Sequence, residues 1–304
     1  MHIYLPIAGL SVNILSLLAL GGGVGFISGL FGVGGGFLLM PLLIFMGIPS
    51  PVAVASGANQ VVGASFSGAL VHWRRGNVDL KMGLMLVAGG LLGSLLGVAL
   101  FTWLHALGQI DLAITLCYVV FLGFVGITML IESGRALVLS RRPRPRHKRH
   151  RHMGANLPFR MRFPRSGLYI PLPMVLGVGA LGGMLSAVMG VGGGFIMVPL
   201  MIYILEMPTA VVIGTSLFQV VFVTAVVTVM QSVQTQTVDV VLMLTLLAGG
   251  AVGAQFGARF GHRLRAEHMR IMLALIVLAL CGRLLLDLAR TPAEAYSLAG
   301  KLAG

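Results

Sequence analysis

The chain reads as an all-α polytopic membrane protein. It is expected to hold two inverted-topology repeats with glycine-broken half-helices, giving about 8–10 transmembrane segments in all. Three observations lead there: lipid-length apolar runs almost free of charge, one glycine motif present twice in register, and opposite charge bias on equivalent loops.

Of 304 residues, 57% are hydrophobic and only 10% charged, and the mean hydropathy is +0.99. Runs 5–31, 52–71, 82–104, 110–131, 168–189, 209–230, 240–258 and 271–289 each approach or exceed the ~20 residues a helix needs to cross a bilayer. A β-barrel would show ~10-residue alternating segments, and the chain has none. The first run lacks the basic n-region of a secretory signal, so it is expected to be a retained helix. Cys117 and Cys281 lie in apolar context at non-equivalent places and are expected to be free core thiols.

Gly32-Val33-Gly34-Gly35-Gly36-Phe37 recurs 158 residues later as Gly190-Val191-Gly192-Gly193-Gly194-Phe195. Each copy follows a serine (Ser28, Ser186) and precedes Pro-Leu (Pro41-Leu42, Pro199-Leu200). Two copies in register mark a duplication. The match continues through Pro49 and Pro208, Gln60 and Gln219, Asp79 and Asp239, and Ala88-Gly89-Gly90 with Ala248-Gly249-Gly250. Gly89, Gly93 and Gly97, with Gly249, Gly253 and Gly257, form small-xxx-small stripes that predict close helix packing and no substrate role. Segments 37–46 and 195–205 are short: as helices they rise ~16 Å, about half the hydrocarbon thickness. They count either as fifth crossings of each half or as half-helices beside eight full spans.

The net charge of +13 is local. Ten of the 21 Lys/Arg lie between Arg141 and Arg165, a stretch with no acid. That pattern predicts a cytoplasmic loop attracted to anionic lipid headgroups, not a nucleic-acid surface. The loop near 74–81 carries Arg74, Arg75 and Lys81, whereas its partner 234–241 has only Asp239. Conversely 102–111 has no Lys or Arg, while 259–270 has Arg259, Arg263, Arg265 and Arg270. Equivalent loops therefore face opposite sides by the positive-inside rule, with the linker cytoplasmic and both termini outside. The expected division is a first membrane repeat at 1–134, a basic linker at 135–167, a second repeat at 168–290 and a tail at 291–304.

An irregular glycine stretch survives in hydrocarbon only where protein or a water-filled cavity surrounds it. Each break opens a short helix whose first N–H groups and positive dipole end make an anion site without a formal cation. The candidate ligands are Gly32, Gly34, Gly35, Gly36 and Phe37 in one half and Gly190, Gly192, Gly193, Gly194 and Phe195 in the other. Ser56 and Gln60, with Thr215, Ser216 and Gln219, add hydroxyls and amides that can donate to an oxyanion. Asn59 faces Phe218 in the alignment and has no polar twin. Six of the eight acids fall in loops or at helix ends; Glu206, aligned with Gly47, is expected at the interface, and Arg283 and Asp287 are expected to pair. His72, Trp73 and His105 read as interfacial anchors. No Walker loop, metal-ligand spacing or nucleophile set points to an enzyme, a metal or a cofactor.

The duplicated Gly-x-Gly-Gly-Gly-Phe…Pro-Leu segments, Gly214-Thr215-Ser216-Leu217 and the Gly-x-Val-Asp…Ala-Gly-Gly run at 76–97 resemble the TauE/SafE family of sulfite and organosulfonate exporters. The resemblance covers almost the whole chain apart from the basic linker, and it implies a bacterial inner-membrane permease moving small sulfur-containing anions, usually outward. The first half departs from the pattern, with Ser56-Gly57-Ala58-Asn59 where the second half has Thr215-Ser216-Leu217-Phe218. The alternatives are a carrier of another small solute (sulfate, a metal cation or an amino acid) on the same fold, or a membrane scaffold acting through the linker.

Overall fold

The computed structural model describes residues 2–31, 36–139, 160–261 and 266–289. Each half opens with a β-hairpin and continues with five helices. In the first half these are β1 (His2–Leu5), β2 (Leu10–Asn13), α1 (Ile14–Phe31), α2 (Gly36–Phe45), α3 (Ser50–Arg74), α4 (Leu80–Ala106) and α5 (Ile110–Leu139). The second half has β3 (Arg160–Phe163), β4 (Leu168–Pro171), α6 (Leu172–Met189), α7 (Gly194–Tyr203), α8 (Thr209–Gln234), α9 (Val240–Gly261) and α10 (Ala266–Ala289).

The hairpins are additions to the helical expectation. Each turns on Pro-x-x-Gly: Pro6 to Gly9 and Pro164 to Gly167, the two glycines at φ 67° and each donating its N–H to the carbonyl of Leu5 or Phe163 at 2.9 Å. The first hairpin takes the front of the run 5–31, leaving α1 as a shorter helix. The second takes in residues 160–167 of the stretch expected as linker.

Six helical stretches among the described residues are long and apolar enough to cross a membrane: Leu80–Ala106, Ile110–Ile131, Leu172–Met189, Val211–Gln234, Val240–Gly257 and Ile271–Ala289. Helix α3 is long enough at 25 residues, yet Ser50, Ser56, Asn59, Gln60 and His72 dilute its hydropathy. Its first half is buried in protein, so lipid does not have to solvate it. Helices α2 and α7, ten residues each, rise ~15 Å and are half-helices in length. Pro41 and Pro199 sit at the same place inside them and cannot donate to the carbonyls of Phe37 and Phe195.

The halves exchange partners. Helix α1 packs along α9, and α6 along α4; α3 meets α8 and α5 meets α10. Backbones touch in the exchanged pairs, as the glycine stripes predict. A methyl at Gly89, Gly93 or Gly97 would strike the carbonyls of Leu176, Ala180 or Met184 on α6; at Gly249 or Gly253 it would strike those of Leu18 or Gly22 on α1.

The turns explain two mismatches between the halves. Gly47 and Gly76 have φ of 84° and 72°; at the aligned positions Glu206 and Gln236 hold 53° and 50°. Both halves therefore keep the same left-handed turns although only one uses glycine. Glu206 is exposed, in line with an interfacial carboxylate. Arg283 departs from expectation: its guanidinium lies over the Phe45 ring at 4.6 Å, and no ion pair with Asp287 forms among the described residues. A guanidinium stacked on an aromatic face loses less hydration than one locked to a carboxylate. Cys117 and Cys281 are free thiols.

Candidate functional site at the glycine breaks

The second break is fully described, and three left-handed residues shape it. Gly190, at φ 68°, ends α6 with its N–H on the Ser186 carbonyl at 2.8 Å. Gly192 and Gly193, both at φ 70°, turn the chain into α7, where the Gly193 carbonyl accepts from Ile196 and Met197. Residues 190–195 are all buried. The N–H groups of Gly192, Gly193, Gly194 and Phe195 find no acceptor among the described residues. Those donors are what the first turn of a helix leaves unpaired.

Side chains are excluded by space as well as by backbone. A methyl at Gly190 would lie 2.6 Å from the Val54 carbonyl of α3, and one at Gly192 would lie 2.9 Å from Thr224 Oγ1. A methyl at Gly36 would lie 3.0 Å from the Val191 carbonyl, so the end of the first break abuts the second. The Phe37 and Phe195 rings stack at 4.2 Å between centroids, 9° from parallel. Phe37 and Phe195, the equivalent second residues of α2 and α7, thus meet face to face. Gly32, Gly34 and Gly35 lie outside the described residues.

Two hydroxyls border the second break. Ser186 and Thr224 are buried, and among the described residues neither Ser186 Oγ nor Thr224 Oγ1 has a hydrogen-bond partner. Ser186 Cβ lies 3.7 Å from where a Gly193 methyl would be. Ser65, the residue aligned with Thr224, has an equally buried and unpartnered Oγ. Sequence reasoning left Ser65 and Thr224 out, although they share the 159-residue offset of Gln60 and Gln219. Carbonyls entering the break are held from outside it: Tyr118 Oη donates to Met189 O at 2.7 Å, and Gln231 Nε2 to Ala187 O at 2.9 Å.

The other sequence candidates sit elsewhere. Ser56 Oγ accepts from the Asp239 N–H at 2.8 Å, and Thr215 Oγ1 accepts from the Asp79 N–H at 3.1 Å. Each hydroxyl tethers its own half to the start of a helix in the other. Ser216 donates to Ile213 O within α8. Gln60 donates to Gly21 O at 3.3 Å and packs on Gly250, while Gln219 packs on Gly90; both Oε1 atoms lack partners. These glutamines occupy the seams between α3 and α9 and between α8 and α4.

Asp79 and Asp239, both buried, cap α4 and α9 respectively and anchor the hairpins. Asp79 accepts from Met82 N, Ser166 N and Ser166 Oγ at 3.2, 3.0 and 2.7 Å. Asp239 accepts from Ile7 N, Val241 N and Leu242 N, each at 3.1 Å. Arg165 adds bonds to the carbonyls of Gly76 and Val78. The hairpin of each half therefore docks on the other half's loop, and both acids have structural partners.

Comparison with known proteins agrees with this architecture. A "Probable membrane transporter protein" of Xylella fastidiosa (strain 9a5c) is 28% identical over 271 residues, covering 88% of this chain and 93% of the relative. The Bacillus subtilis (strain 168) proteins named "Probable membrane transporter protein YunE" and "YjnA" are each 25% identical, covering 89% and 87% of this chain and 96% of each relative. No solved structure gives a significant match. The model of the family described as "Sulfite exporter TauE/SafE" matches residues 17–284, and with its six apolar helices the chain is a multi-pass membrane protein that belongs to that family.

Proposed function

We propose that this protein carries small sulfur-containing oxyanions, sulfite or organosulfonates, outward across a bacterial inner membrane by alternating access, without an enzymatic step or a cofactor. The observation that carries the reading is the meeting of the two breaks: stacked Phe37 and Phe195 bring the N-terminal ends of α2 and α7 together. Two positive dipole ends and free N–H donors then face a common place, which suits an oxyanion. The buried Ser186 and Thr224 hydroxyls supply further donors there. The family's description and its relatives' names support transport.

Reciprocal docking supports the inverted arrangement. The hairpin bearing Arg162 and Arg165 sits on the loop after Arg74 and Arg75 and before Lys81, with Lys81 Nζ donating to Arg162 O at 3.3 Å. The opposite cluster, hairpin 2–13 on loop 235–239, carries no Lys or Arg. The first cluster is cytoplasmic by the positive-inside rule and the second periplasmic. A negative-inside potential favours anion export by ~2.3 kcal/mol per charge per 100 mV, so no intramembrane carboxylate is required to drive it.

Counterflow in proteoliposomes tests the reading. Preloaded sulfite should exchange against external sulfite, and sulfoacetate, taurine, sulfate, thiosulfate and chloride should compete in an order that favours the sulfur oxyanions. Exchange of a metal cation or a neutral amino acid, with none of sulfite, would refute it.

A further inference from the structure

Beyond the break, one face of α8 carries Thr224, Thr228 and Gln231 at helical spacing. They are 0%, 8% and 0% exposed, yet Thr224 Oγ1, Thr228 Oγ1 and Gln231 Oε1 have no hydrogen-bond partner among the described residues. Threonines in apolar helices ordinarily donate back to the carbonyl four residues before, as Thr102, Thr115 and Thr245 do here. Thr224 and Thr228 do not. Polar side chains serving only as interhelical glue would have found partners, and an orphaned buried hydroxyl keeps its desolvation cost unless something else visits it.

The row has a direction. It starts at Thr224, against Gly192, and ends where Thr235 Oγ1 lies 2.7 Å from Thr237 Oγ1 in the loop before α9. From 224 to 235 a helix rises ~16 Å, about half the hydrocarbon core. On α3 the aligned positions are Ser65, Ala69 and His72, and Ser65 Oγ and His72 Nδ1 are again buried without hydrogen-bond partners among the described residues. That row ends beside the loop bearing Arg75. No carboxylate lies on either row.

We propose that the two rows are the two arms of the anion's path: Ser65 and His72 lead from the basic face to the breaks, and Thr224, Thr228 and Gln231 lead from the breaks to the opposite face. The proposal rests on the transport reading and extends it from where the anion pauses to how it travels. Water and anion would complete the hydrogen bonds that protein leaves open.

Single cysteines test it, placed in a Cys117→Ala/Cys281→Ala chain in vesicles of both orientations and probed with a membrane-impermeant maleimide. Thr228→Cys and Gln231→Cys should label from the face opposite the basic loops, and His72→Cys from the basic face. Sulfoacetate should slow each. Val227→Cys, on the neighbouring face of α8 packed against Val98 and Ala187, should stay unlabelled. The near-isosteric Thr224→Val and Thr228→Val should each cut sulfite counterflow at least tenfold in protein that elutes as folded. Silent cysteines at 228 and 231 with full counterflow in the valine variants would overturn the path while leaving the transporter standing. Labelling of Val227→Cys as fast as Thr228→Cys would overturn it too. One-sided labelling slowed by sulfate but not by sulfoacetate, with no sulfite counterflow, would uphold the path and refute the substrate.

Discussion

Glycine does two different jobs in this protein, and the α4–α6 seam and the second break separate them. At the seam, Gly89, Gly93 and Gly97 have ordinary helical backbone, and only proximity forbids a side chain. In the break, Gly190 and Gly192 are forbidden a side chain twice, by positive φ and by neighbours, and Gly193 by its positive φ. Seam glycines let two helices touch; break glycines stop one helix and start another with its donors uncovered. The difference teaches that a glycine's role in an apolar chain is read from backbone angle, not from spacing alone.

The largest effect should come from Gly93→Leu. Its side chain has nowhere to go but into the Ala180 carbonyl, so α4 and α6 must part. Overpacking of a backbone contact costs several kcal/mol, and little folded protein should survive size exclusion in detergent. A wild-type yield and melting midpoint would place the seam elsewhere. Gly192→Ala should fold but lose transport: φ near 70° costs an alanine ~1–2 kcal/mol, and the methyl crowds Thr224 Oγ1. Wild-type counterflow with that variant would make the break a packing feature like the seam.

Smaller effects sharpen the comparison between the two hairpin anchors. Ser166→Ala removes the hydroxyl bond to Asp79 and should lower stability by ~1–2 kcal/mol, read as a lower melting midpoint with transport selectivity unchanged. The aligned residue in the first hairpin is already Ala8, so among the described residues that anchor relies on the Ile7 N–H alone. The smallest change, and a favourable one, is expected from Glu206→Gly. It relieves a left-handed backbone that Gly47 adopts freely, and should raise the midpoint slightly. A fall would show that the Glu206 side chain matters more than its backbone.

Much of this was legible in the residues. The breaks stood out because lipid makes an interrupted helix costly, so glycines repeated inside apolar runs need a reason. The stripes announced the seams, though not that each would join opposite halves. The hairpins escaped notice: Pro6 to Gly9 lay inside an apolar run with no polar flanks to mark a turn, and Pro164 to Gly167 closed a basic stretch that read as linker. Ser56 and Thr215 looked like ligands because their use depends on Asp239 and Asp79, distant in sequence. Ser65 and Thr224 looked like ordinary hydroxyls in a helix until Gly192 was found beside one of them.

The central claim is that the two breaks make one shared anion site. Calorimetric titration of the purified protein with sulfite tests it most directly, on wild type and on Ser186→Ala/Thr224→Val. One anion per chain is expected, with affinity falling at least tenfold in the variant. Two independent anions per chain, or affinity untouched by the double change, would contradict a shared site at the meeting of α2 and α7.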